Sequence, residues 1–182
     1  MPPVRPCYSW LVLDKSVIFT DYVEKSVIIM ELTEIDRRIL REVQRDGRIA
    51  VVELAERLGI PATTAGERLK RLQRDRVITG FRAEIDPAAL GLDLLVFVEV
   101  LLDKTTPEVM DQFAVAIRRV PEVLECHMVA GGFDFLIKIR AEDMSAYRRF
   151  LGDRLWTMPG VKETRTYTVM EEIHSANRLP IR

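Results

Sequence analysis

The chain has 182 residues, 48% of them apolar and 30% charged, with a formal net charge of −1. That is room for one ordinary domain or two small ones, with enough apolar side chains for a core. The total charge alone selects no polyanionic partner.

Two cysteines, Cys7 and Cys126, do not make a disulfide framework, which points to a reducing cytoplasm. No apolar run approaches the roughly 20 residues of a membrane helix, so no membrane association is expected. Residues 1–30 lack the basic start, long apolar stretch and cleavage site of a signal peptide. They repeat KSVI at Lys15–Ile18 and Lys25–Ile28 without helical period or capping. The expectation is an extension with no role in the fold.

Residues 31–85 carry the periodicity of a small helical domain. Thr33 and Asp36 open a helix with Ile35, Ile39, Leu40 and Val43 at 3–4 spacing and Gly47 as its stop. A second helix covers about Val51–Leu58 and ends at Gly59. A third, Ala62–Arg74, is entered through Pro61. Val77, Ile78, Phe81, Ala83 and Ile85 then fall in two short extended runs around Gly80, which reads as a wing.

On the third helix, at about 100° per residue, Ala65, Leu69 and Leu72 share one side. Thr63, Glu67, Lys70 and Arg74 fall opposite, flanked by Thr64 and Arg71. Between Arg68 and Arg82 stand six basic residues and one acid, Asp75. Short hydroxyls and arginines read base edges in a major groove, and cations neutralise phosphates. With a short helix and a tight turn before it and a wing after it, this is a winged helix-turn-helix that binds double-stranded DNA. Gly66 inside the helix runs against the pattern, because glycine costs about 1 kcal/mol there relative to alanine.

Asp86–Leu92, "DPAALGL", is a linker. From 93 to 171 strands and helices alternate. Leu94–Leu102 is a strand, Thr106-Pro107-Glu108 starts a helix, and Val123–Val129 and Phe133–Arg140 are strands around Gly131-Gly132. A helix over about Asp143–Trp156 precedes a last strand, Val161–Met170, and residues 172–182 form an extended tail. The order βαββαβ is ferredoxin-like, making the chain α+β. Charge divides with the domains. Residues 31–82 hold 12 Lys/Arg against 9 Asp/Glu, a net of +3; residues 83–182 hold 12 against 16, a net of −4. The helical half is the one suited to a polyanion.

In the acidic half, "VAGGFDF" (Val129–Phe135) joins two inner strands. The amides of Gly131 and Gly132 can receive a carboxylate and Asp134 an ammonium group, the two charges of a free amino acid. The same residues equally suit a tight turn whose aspartate bonds the backbone. His127 beside Cys126 has no partners at metal spacing, so no metal site is assigned. No G-x-S-x-G, P-loop or G-x-G-x-x-G occurs, and no catalytic residues or cofactor can be named.

The stretches "IDRRILREVQRDGRIAVVELAERLGI", "LLVFVEV", "FDFLIKIR", "MSAYRRFLG" and "TRTYTVMEE" resemble the Lrp/AsnC feast/famine regulators from about Leu32 onward. The resemblance implies an N-terminal winged helix-turn-helix and a C-terminal ferredoxin-like effector domain. It implies an amino-acid effector, leucine or a related apolar one, and homo-oligomers in which dimers assemble into octamers or similar. It also implies a protein that lies on the nucleoid and controls amino-acid metabolism genes. The DNA-binding set is then Thr63, Thr64, Glu67, Arg68, Lys70, Arg71 and Arg74. Gly131, Gly132 and Asp134 form the effector site, with Met128, Tyr167 and Thr168 carried over as neighbours. One departure is local: the family commonly enters the recognition helix as Ser-Pro, and here it is Pro61-Ala62. Two other functions stay open. An architectural DNA-bending protein would use the same basic face. A ferredoxin-like barrel enzyme would need a His or acid dyad that the strands do not offer.

Overall fold

The computed structural model describes residues 31–176 and 178–182, together with Val12–Leu13 and Ser16–Val17. These last two stretches, β1 and β2, pair antiparallel with Val12 opposite Val17. The rest of the extension, and the expectation that it plays no part in the fold, lies outside the described residues. The chain divides into two compact units. One ends at Glu84 and includes Ala176–Arg182; the other is Ile85–Ser175.

The first unit is three helices, α1 (Glu34–Arg45), α2 (Val51–Leu58) and α3 (Ala62–Arg74). Thr33 caps α1 in a reciprocal box with Asp36, satisfying two otherwise orphan N–H groups. Gly59 ends α2 at φ +67°, a left-handed position that favours glycine. Ile39, Val43, Leu54, Leu58 and Leu72 form the core, with Leu69 and Ile35 packed against it. A Cβ at Gly66 would lie 3.4 Å from a methyl of Val51 on α2, an ordinary contact, so packing does not account for the glycine. The tail returns to this unit. Gln44 on α1 donates to the Leu179 carbonyl at 3.2 Å and accepts from the Leu179 amide at 2.7 Å.

The two wing strands expected between Val77 and Ile85 do not form. After α3 the chain turns through Arg76 at φ +56°, and the amides of Val77 and Ile78 both donate to the Leu72 carbonyl. Those bonds close the end of α3 instead of starting a ladder. Phe81 sits over Gly47, where a Cβ would come within 3.0 Å of its ring. An extended run becomes a strand only when a neighbour takes its amides and carbonyls, and no described segment pairs with this one in a ladder.

The second unit opens with a 3-10 turn, Ala88–Leu90, and continues through β3 (Leu94–Leu102), α4 (Pro107–Ile117), β4 (Val123–Met128), β5 (Phe135–Ala141), α5 (Met144–Phe150) and β6 (Val161–Thr168). The sheet order is β4-β5-β3-β6, antiparallel throughout. This is the ferredoxin-like arrangement that the element order predicts. Alternation sends Val96, Val98 and Val100 of β3 and Phe135, Ile137 and Ile139 of β5 into the core, with Phe113, Ile117, Tyr147 and Leu155 from the helical segments. Tyr147 donates to or accepts from Thr166 at 2.6 Å. The helix expected over Asp143–Trp156 is capped by Asp143, which accepts from the Ala146 amide. It widens to a π-turn at Leu151–Leu155. The last strand stops at Thr168, two residues short of the expected end.

Candidate nucleic-acid interface and effector site

The third helix has two kinds of cation. Thr63, Glu67, Lys70 and Arg74 are exposed along its outer face, and Thr64 is half-buried beside them. Arg68 and Arg71 lie at the edge nearest α1, and both guanidinium groups meet Asp36. Arg68 Nη1 is 3.0 Å from Oδ1 and Arg71 Nη2 is 2.7 Å from Oδ2. The Thr33 amide and hydroxyl donate to the same carboxylate at 3.0 and 2.6 Å.

Asp36 is 0% exposed, and a buried carboxylate persists only when paired and hydrogen-bonded. Burial pushes its pKa up, but the Thr33 and Arg68 hydrogen bonds and the Arg71 charge outweigh that and hold the carboxyl below its usual range. The α1 cap and the α3 helix are therefore fastened at one carboxylate. Sequence reading placed Thr33 and Asp36 in a cap but missed this long-range role. The available signal was an acid one residue after Ile35 and three before Ile39, on the side of α1 that packs. Outside this cluster Arg74 meets its neighbour Asp75 at 3.0 Å with its side chain 73% exposed.

In the second unit the β4–β5 turn gathers Met128, Gly131, Gly132 and Asp134. Met128 faces Phe135 across the ladder. The Asp134 amide donates to the Val100 carbonyl, and its own carbonyl accepts from Val129. Its Oδ2 accepts from the Leu102 amide at 2.7 Å, where the β3–β6 register shifts. One carboxylate oxygen thus pins the turn to β3. Gly131 and Gly132 are exposed, and a Cβ on either would touch nothing within 4 Å. The chain's own packing does not require glycine at these two places.

Tyr167 and Thr168 lie elsewhere. They pair with Phe97 and Val96, whereas the turn meets β3 at Val100. At about 3.3 Å per residue that is about 10 Å along the strand, so one chain does not bring all six residues together. Beside the turn, Gly132, Phe133, Glu99, Leu101, Glu163 and Arg165 line a depression of about 20 Å³. That is far below the roughly 300 Å³ at which ligand pockets begin. Sequence reading did not name Glu99, Glu163 or Arg165. Strand alternation could have found them, since they share the open face of the sheet.

Burial pushes the Cys126 thiol up to about 11, leaving it a poor nucleophile. His127 Nε2 lies 3.1 Å from Glu125, whose carboxyl is held low by hydrogen bonds from Lys138 and His127. Among the described residues no group of three or more His, Cys, Asp or Glu could hold a metal ion. No described helix is long and apolar enough to cross a membrane.

A helix-turn-helix with a cationic outer face, joined to a ferredoxin-like domain, defines a two-domain DNA-binding regulator. The AsnC-type helix-turn-helix domain matches residues 32–73, and the Lrp/AsnC ligand binding domain matches 95–179. The chain belongs to the Lrp/AsnC family of transcription regulators. The leucine-responsive regulatory proteins of Salmonella typhimurium and Escherichia coli are each 49% identical to it over 152 residues, 84% of this chain and 93% of theirs. A transcriptional regulator from Neisseria meningitidis, solved as an L-Met complex, superposes with a TM-score of 0.78. It has 32% identity and covers 82% of this chain and 96% of that one.

Proposed function

We propose that the protein is a sequence-specific regulator of amino-acid metabolism genes whose DNA binding answers to leucine or a related apolar amino acid. The observation that carries the DNA half is the outer face of α3. Thr63, Glu67, Lys70 and Arg74 stand exposed while Ala65 and Leu72 are buried, leaving hydroxyls and cations free for base edges and phosphates. Thr64 flanks that face. Arg68 and Arg71 serve it by fixing the helix on Asp36.

The effector half rests on the β4–β5 turn. Glycines that the chain's own packing does not need, beside Asp134 and Met128, suit a ligand's approach to the backbone. A depression of about 20 Å³ is too small for an amino acid, so we place the complete site between copies of the chain. Tyr167 and Thr168 of one copy would then complete the turn of another. The open sheet face, with Tyr167 half-exposed and Phe97 opposite it, supports dimers that assemble further. The protein acts on the nucleoid, in the cytoplasm, as a regulator rather than an enzyme.

The test is binding to a duplex from the gene's own upstream region, with each of the twenty amino acids added in turn. Affinity or assembly should shift with an apolar amino acid and not with charged ones. Equal binding to unrelated duplexes would favour an architectural DNA-bending protein. No response to any amino acid would remove the effector role.

A further inference from the structure

Gly66 is the one glycine within α1 to α5, and it stands in the interior of α3. Its backbone is ordinary right-handed helix, unlike that of Gly59, Gly91 and Gly160, whose positive φ favours glycine. In such a helix glycine is the weakest former after proline. Space does not demand it either. A Cβ at position 66 would meet a Val51 methyl at 3.4 Å and nothing else within 4 Å. At Gly47, by contrast, a Cβ would come within 3.0 Å of the Phe81 ring. Position 66 therefore lowers helix stability without any return in turn geometry or packing.

Its place on the helix is the second observation. At 100° per residue Gly66 falls about 40° from Lys70 and about 60° from Thr63, and both of those residues are exposed. It lies on the edge of α3 away from Arg68 and Arg71, the two arginines that close on Asp36. Gly66 is itself half-buried, and its neighbour Val51 is 37% exposed, so the space over the glycine is open to solvent. The bare α3 backbone is thus flanked by a Val51 methyl on one side and by Thr63 and Lys70 on the other. Whatever lies against α3 here comes closer to the helix axis than any side chain would allow.

We propose that Gly66 is a specificity-determining position at which the duplex approaches the α3 backbone through the space a side chain would fill. This rests on the reading of α3 as the helix that meets DNA. Glycine is the residue that lets another backbone come close, and a local rule broken without structural gain is expected at functional positions. The depth matters for readout. Thr63 is short, and its hydroxyl reaches base edges only when the helix backbone seats deep in the groove. Gly66 permits that depth, while Lys70, one turn on, meets a phosphate of the strand that passes.

The test is binding of the full chain to a duplex from the gene's own upstream region, with thermal melts alongside. Wild type is compared with Gly66→Ala, Gly66→Leu and Lys70→Ala/Arg74→Ala. Gly66→Ala should melt no lower than wild type, because alanine favours the helix and has room for its methyl. Its affinity should nevertheless fall about ten-fold, the effect of one methyl forced into a close contact. Gly66→Leu should fall further. Binding to an unrelated duplex should change less, because non-specific contact is made to phosphates. Wild-type affinity in both Gly66 variants, beside a loss in Lys70→Ala/Arg74→Ala, would overturn the close approach and leave the DNA reading of α3 standing. Wild-type affinity in all three variants would overturn both. A lower melting temperature in Gly66→Ala would assign the glycine to the fold and overturn the proposal.

Discussion

Arg71 and Lys70 are adjacent on α3 and do different work. The inner edge of the helix spends its cations on the protein: Arg68 and Arg71 close on a carboxylate that is 0% exposed. The outer face keeps Lys70 and Arg74 in solvent, where Arg74 has only its exposed neighbour Asp75. Charge alone does not separate the two classes. What separates them is whether a buried acid on a neighbouring helix lies within reach. A basic recognition helix is thus partly an anchoring device, and the cations that look alike in sequence should fail differently when removed.

The largest effect belongs to the acid itself. Asp36→Ala removes the acceptor for the Thr33 amide and hydroxyl and for both arginines, while the Thr33 hydroxyl can still accept from the backbone N–H at 36. It should cost about 3 kcal/mol of stability in urea unfolding, as breaking a buried pair does. The pH dependence follows in sign. The folded pKa is depressed below its ordinary value of 3.8, so this contribution is complete above that value. It is lost as pH falls through the lower folded pKa, and Asp36→Ala should flatten the acid limb of the stability curve.

Asp134→Ala comes next, at about 2 kcal/mol, because the Leu102 amide loses its acceptor. Asp134→Asn keeps an acceptor oxygen and should hold most of that stability while weakening the effector about ten-fold. A fall in stability as large as that of Asp134→Ala would assign the residue to the turn alone. Arg71→Ala should cost about 1 kcal/mol, since Arg68 still satisfies part of Asp36. Lys70→Ala and Arg74→Ala should stay within about 0.5 kcal/mol of wild type. Equal losses at Lys70 and Arg71 would erase the distinction between the two sides of the helix.

Much of this was legible in the residues. The apolar period placed all three N-terminal helices, and the alternation of Val96, Val98 and Val100 with their neighbours placed the central strand. Gly59 and Gly131-Gly132 marked real breaks. The wing was not legible in the same way, because Val77–Ile85 has the composition of strands but finds no ladder in the described chain. The outward set Thr63, Glu67, Lys70 and Arg74 follows from helical angle alone. The employment of Arg68 and Arg71 does not, because it depends on Asp36 more than thirty positions earlier. Tyr167 and Thr168 fell away from the turn for a related reason: strand register, invisible in one sequence, decides which ends of β3 and β6 meet.

On the proposed reading, the outer face of α3 meets DNA while its inner edge holds the helix in place. The most direct measurement is the salt dependence of binding to an upstream duplex by wild type and by the Lys70→Ala/Arg74→Ala variant. Two lost phosphate contacts should reduce the slope of log K against log salt by about two, with the melting temperature unchanged. A slope and affinity equal to those of wild type, in a variant that is fully folded, would remove the outer face of α3 from the DNA interface.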